Sequence, residues 1–164
     1  MDIRNIGTVL FVELCLFMFT PHSFADDVVA IKDLPQPVLT TISKRYPAAE
    51  LGEARKTMEG KAVIYEVELT NDKTLIEIAV YAEGKIDWVA IDLPIDDLPK
   101  PVLAGVRKKY PAAKLNHAST VYTVNNDKDK LEHYHVEIST KGGKKRGLDV
   151  LPKGMIEEDE PITD

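Results

Sequence analysis

The chain has 164 residues, of which 44% are hydrophobic and 29% charged, proportions that belong to a folded globular protein and exclude a disordered tail. Its 27 acidic against 21 basic residues give a net charge of −6, which excludes a general nucleic-acid binder, since such a protein would be basic. A lone cysteine, Cys15, excludes an internal disulfide framework.

Residues 1–25 stand apart from the rest. Arg4 precedes a mostly apolar run from Ile6 to Thr20, and Ser23-Phe24-Ala25 places small residues three and one before a break at Asp26, the layout of a secretory signal peptide. Asp2 and Glu13 are atypical of such a segment, and the competing reading is an uncleaved anchor. An anchor needs about 18 clean apolar residues, and this run is shorter and interrupted. Cys15 follows Val12-Glu13-Leu14, which lacks the small residue of a lipid-attachment site. Residues 1–25 are therefore read as a signal peptide, and the mature chain as periplasmic or secreted. After cleavage it holds no cysteine, carries 20 basic and 25 acidic residues and has no second long apolar run, so no membrane span is expected.

After a short lead-in from Asp26 to Lys32, a stretch begins that the chain carries twice. Leu34-Pro35-Gln36-Pro37-Val38-Leu39 runs to Tyr46-Pro47-Ala48-Ala49, and Leu98-Pro99-Lys100-Pro101-Val102-Leu103 runs to Tyr110-Pro111-Ala112-Ala113. The leading prolines suit a helix N-terminus, whose amides have no intrahelical partner. Val38, Leu39, Ile42 and Tyr46 then recur at helical spacing, and Pro47 ends a helix of about three turns. Beyond it the period changes to two. Tyr65, Val67 and Leu69 alternate with glutamates, as do Ile76, Ile78 and Val80 with Glu77, Ala79 and Tyr81. Turn formers at Glu59-Gly60-Lys61, Asn71-Asp72-Lys73 and Glu83-Gly84-Lys85 divide four strands, roughly 50–57, 62–70, 74–82 and 85–91, into an antiparallel meander.

The second copy follows the first at a shift of 64 through Ala54 and Ala118, and at 70 where Val80 and Gly84 meet Val150 and Gly154. The insertion falls chiefly in the Asn125 to Asp129 turn, and gaps confined to turns mark a duplicated supersecondary unit. The predicted fold is α+β: two tandem repeats, 26–92 and 93–156, each one helix packed on a four-stranded antiparallel meander sheet, then an acidic, frayed tail over 157–164. Units of this size are marginal alone, so the two are expected to pack together or share a sheet.

Leu-Pro-x-Pro-Val, then Tyr-Pro-x-Ala, a Gly-punctuated strand pair and Tyr65-Glu66-Val67-Glu68 resemble the PepSY-like domains of bacterial secreted proteins, in tandem copies over Asp33 to about Ile156. Relatives of that family include the beta-lactamase-inhibitor-like fold and the propeptides of thermolysin-type metallopeptidases. The resemblance implies a helix on a four-stranded sheet and binding or inhibition outside the cytoplasm. It supplies no catalytic motif.

Three groups of residues are candidates for function. His133, His135 and Glu137 share the face opposite Tyr134, Val136 and Ile138, and a regular hairpin would set His117 opposite Glu137. His117, His135 and Glu137 are thus a candidate metal set, although a flat sheet face tends to splay ligands that zinc wants in a tetrahedron. Lys141, Lys144, Lys145 and Arg146 surround the turn-forming Gly142-Gly143 and could dock an acidic partner or anionic lipid. Tyr81 and Trp88 are large aromatics whose facing stays open, because apolar residues of Ile86-Asp87-Trp88-Val89-Ala90-Ile91 fall on both parities; Trp88 is either core or a partner-binding patch. No phosphate loop or assembled nucleophile appears, so no enzyme and no cofactor are expected. The reading is a non-enzymatic binding protein for a protein or peptide partner, an inhibitor of a peptidase or other enzyme among its possible forms. The alternative is a small-ligand or metal-binding sensor of the envelope.

Overall fold

The computed structural model describes residues 27–162, so the signal-peptide reading of 1–25 lies outside the described residues. Nine strands and two helices follow in order. β1 is Asp27–Val29, α1 Gln36–Arg45, β2 Glu50–Glu59, β3 Ala62–Asn71, β4 Thr74–Tyr81 and β5 Ile86–Asp92. Then come α2 Lys100–Lys109, β6 Lys114–Asn125, β7 Lys128–Ser139, β8 Lys145–Val150 and β9 Ile156–Pro161. Single 3-10 turns at Ile31–Asp33 and Ile95–Asp97 lead into the helices.

The two copies of the proline-flanked stretch form the helices. Pro35 and Pro99 occupy the N-caps, where the absent amide hydrogen costs nothing, and Tyr46 and Tyr110 close the last turns with their amides on Ile42 and Val106. Val38 and Ile42 of α1, and Val102 and Val106 of α2, are sealed against the sheet. On the sheet side they meet Val67, Leu69, Ile78 and Val80 under α1, and Val136, Ile138, Leu148 and Val150 under α2. Each fully buried aliphatic side chain contributes roughly 1.5–3 kcal/mol. Two-residue hairpins with left-handed Asp72-Lys73 and Asn126-Asp127 set the register of β3 on β4 and β6 on β7.

The expected pair of helix-plus-four-strand repeats is not the architecture adopted. β5 pairs antiparallel with β6 from Trp88↔Thr123 to Asp92↔Ser119, which joins everything into one nine-stranded sheet in sequence order. Main-chain donors and acceptors at the edges of two small sheets would otherwise stay unpaired, and joining them satisfies both. Asp27–Val29, expected as lead-in, adds an edge strand to β2. The acidic segment expected to fray is β9, paired with β8 from Arg146↔Pro161 to Val150↔Ile156.

The longer second hairpin ties the two halves together. Val124 near its tip joins the core under α1, and Arg45 at the end of α1 donates to Asp129 at 2.6 Å. Among the described residues, no helix is long and apolar enough to cross a membrane.

An open sheet face around Trp88

Both helices lie on one side of the sheet, and the other side carries no covering element among the described residues. A bulge in β5 decides where Trp88 points. Val80 pairs with Ile86 and Ala79 with Trp88, so Asp87 is an extra residue. Ile86 and Val89 therefore both face the core, while Trp88 and Ala90 face the open side. There Trp88 is half-buried at one wall of a depression of about 480 Å³, opposite Val121, Ser119 and Thr123 of β6. Tyr81 also points to this side, outside the depression. Its hydroxyl donates to Glu59 at 2.9 Å, which helps push its pKa up to about 12, and Lys85 lies 5.6 Å from its ring centre.

The histidines line the same depression. His117 pairs across strands with Glu137, and His135 with Ser119 on one side and Asp149 on the other. His117 Nε2 is 2.7 Å from Asp92, His135 Nδ1 is 2.7 Å from Asp149, and His133 Nε2 is 3.5 Å from the other oxygen of Asp149. The hydrogen bond to Asp149 raises the His135 pKa against the opposing effect of burial. Burial pushes the Asp149 carboxyl up, but the His135 bond and the charges of both histidines outweigh it and hold the group below its ordinary value.

His117, His135 and Glu137 are thus neighbours that do not converge. Each imidazole turns to its own aspartate, and among the described residues no three His, Cys, Asp or Glu side chains are placed to hold a metal. Ser119, His135 and Asp149 have the residue types of an acyl-transfer triad, in a row across three strands. The His135 ring instead lies over Gly147, where an added Cβ would stand 2.9 Å from Cε1 and 3.3 Å from Nε2. Nε2 is committed to the β8 side, and no nucleophile–base pair with Ser119 forms.

The basic residues of the second unit part company. Lys141 and Lys144 are exposed on the β7–β8 turn, and Lys145 opens β8. Arg146 points to the helix side, where its guanidinium binds the Asp159 carboxylate and donates to the Asp159 carbonyl at 2.8 Å. Lys109 Nζ at 2.5 Å and the Tyr110 hydroxyl at 2.6 Å complete the grip on Asp159. A larger cleft of about 630 Å³ lies where the β6–β7 hairpin meets α1, lined by Lys44, Lys85 and the Asp129-paired Arg45.

Sequence reasoning missed Glu77, Asp87, Glu132 and Asp149 on the open face. Asp149 could have been found only from the register of β8 on β7, and Asp87 only from the bulge. Glu77 was visible as the polar member of an alternating strand.

Residues 24–87 and 83–154 each match the family described as "Putative beta-lactamase-inhibitor-like, PepSY-like". Similar solved structures include a BLIP-like protein from Bacteroides fragilis, 19% identical, with a TM-score of 0.58 over 79% of this chain and 88% of that one. A "putative periplasmic" protein from Bacteroides eggerthii is 15% identical, with a TM-score of 0.60 over 79% and 89%. A DUF2874 family protein from Bacteroides ovatus is 15% identical, with a TM-score of 0.59 over the same shares. At these identities the likeness establishes the fold. No curated protein sequence matches the chain significantly.

Proposed function

Because the chain belongs to the PepSY-like, beta-lactamase-inhibitor-like family, we propose that it is a non-enzymatic binding protein of the cell envelope that engages a protein or peptide through its open sheet face. A cleaved signal over residues 1–25 would deliver it to the periplasm or the exterior, and the protein from B. eggerthii is described as "putative periplasmic". Capping the active-site cleft of a peptidase or other enzyme, and so inhibiting it, is one use such a face serves.

The observation that carries this reading is Trp88. It is the chain's only tryptophan, and it stands half-exposed on the side of the sheet that no helix covers, beside Ala90 and Val121. Tryptophan in a partly desolvated depression is the side chain most enriched among residues that dominate binding energy, and here the lining side chains of Glu77, Asp87, Ser119 and Thr123 frame it with polar groups. The helix side is occupied by the protein's own core.

The test compares co-purification from envelope extract by the wild-type protein, Trp88→Glu and Lys108→Glu, each with a melting curve to establish folding. Loss of a partner with Trp88→Glu and its retention with Lys108→Glu is the expected result. Retention by a folded Trp88→Glu variant would refute the open-face reading.

A further inference from the structure

The C-terminal ends of the two helices and the depression on the open side carry opposite charge. On the helix side, Lys44 and Arg45 end α1, and Arg107, Lys108 and Lys109 end α2. On the open side, the depression beside Trp88 is lined by Glu77, Asp87, Glu132, Glu137 and Asp149, and by no Lys or Arg. Asp149 has its charge answered by His133 and His135. Among the described residues, Glu77, Glu132 and Glu137 form no ion pair.

Glu77 is half-buried between Glu68 of β3 and Ala90 of β5. Burial and the charge of Glu68 push its carboxyl up, and Arg55 and His135 draw it back only in part. The half-buried carboxylates of Glu77 and Glu137, without a cation in ion-pair contact, oppose folding, and a cation delivered from outside would relieve them, with the exposed Glu132 adding its charge at the rim. The face of an indole attracts an ammonium or guanidinium group within about 6 Å, and carboxylates at its rim would add charge-assisted hydrogen bonds. The depression is open to solvent and runs across several strands, so a small amine would stay largely hydrated there. An extended chain could cross it and present more than one cation.

Deepening the open-face reading, on which it rests, we propose that the partner contributes a basic polypeptide segment that seats a lysine or arginine side chain on Trp88 among Glu77, Asp87 and Glu132. Charge complementarity and the ring select this occupant over an acidic or purely apolar one.

Trp88 is also the probe, because as the only tryptophan its emission, excited at the red edge where tyrosine does not absorb, reports this site alone. The protein would be titrated with a short Lys-Arg-Ser repeat peptide, with its Glu-Asp-Ser counterpart and with spermidine, at low and high salt. The basic peptide should change the emission saturably and more weakly as salt rises. The Glu77→Gln/Glu132→Gln variant should bind it roughly tenfold more weakly, as expected on losing two charged contacts. Lys108→Ser should leave binding unchanged, and the melting temperature of the double variant should not fall.

An equal response to the acidic peptide, no response to the basic one, or undiminished binding by the double variant would overturn the proposal. Tighter binding of spermidine than of the peptide would also overturn it, assigning the site to a small polyamine. If the basic peptide fails while Trp88→Glu still abolishes co-purification of an envelope protein, only the partner class falls. If both fail, the open-face reading falls with it.

Discussion

Gly105 in the middle of α2 offers the sharpest test of how the second unit is packed. A Cβ added there would stand 2.0 Å from the carbonyl oxygen of Gly154 and 2.8 Å from its carbonyl carbon, in the turn between β8 and β9. Gly154 has φ +87° and comes equally close to α2, its own imaginary Cβ lying 2.1 Å from the Pro101 carbonyl oxygen. The obstacle on both sides is backbone, so neither side chain rotation nor local breathing removes the clash. In the first unit the matching pair is Thr41 and Gly84, and there the Thr41 hydroxyl donates to the Gly84 carbonyl at 2.7 Å. The first helix therefore stands one side chain off its turn, and the second rests on it directly.

Forced overpacking costs about 1–3 kcal/mol, and a backbone-to-backbone clash belongs at the upper end. Alanine in place of a mid-helix glycine returns about 1 kcal/mol. The balance for Gly105→Ala is a loss of about 2 kcal/mol, a fall in Tm of roughly 5–8 °C for a domain of this size. Urea unfolding followed by far-UV circular dichroism measures it. Thr41→Ala, which removes a hydrogen bond without a clash, should lose only about 1 kcal/mol. A Gly105→Ala variant as stable as wild type, or more stable, would show that helix propensity alone governs the position and that α2 does not rest on the turn.

Two further outcomes follow from ionised groups. Asp159, held to a pKa of about 2 by Lys109, Tyr110 and Arg146 against the effect of burial, anchors edge strand β9. Its contribution is complete above the unfolded value of 3.8 and is lost as pH falls through about 2. Asp159→Asn should speed amide exchange in β9 roughly tenfold at neutral pH while leaving β3 and β4 unchanged. His135 has a raised pKa, so its contribution is complete below the unfolded value of 6.5 and is lost as pH rises through the folded value. Stability should therefore decline on going from pH 6 to pH 8, and Asp149→Asn should flatten that decline; an NMR titration of the His135 ring checks the direction of the shift independently.

Local pattern carried a good part of the fold. Val38 with Ile42 and Val102 with Val106 marked the buried stripes of both helices, and the alternation through β3 and β4 marked which residues face them. His117 stands opposite Glu137 only because Glu132 is an extra residue in β7; the two-residue hairpin that pairs Asn125 with Lys128 would by itself have set it opposite Val136, a shift that hairpin length does not reveal. Other features depend on relations that a pattern does not contain. Parity could not orient Trp88, since the bulge at Asp87 puts Ile86 and Val89, three apart, on the same face. The union of β5 with β6 is made by main-chain hydrogen bonds, to which side-chain periodicity is blind. Residues 157–161 of β9 read as a solvated acidic tail because what holds them is main-chain pairing with β8 and one aspartate aimed at Lys109, Tyr110 and Arg146, while the strand's single core contact, Ile156, stands at its start. The open site was legible as histidines on an outer face, while its acidic character needed the register of five strands.

The central claim is that the face bearing Trp88, rather than the helix side, meets the partner. A photo-crosslinking amino acid placed at position 88 in one variant and at position 108 in another, expressed in the native envelope, tests it most directly. The account predicts a discrete covalent adduct from position 88, mapped to a Lys- or Arg-bearing segment of the captured protein, and none from position 108. An adduct formed only from position 108 would contradict it.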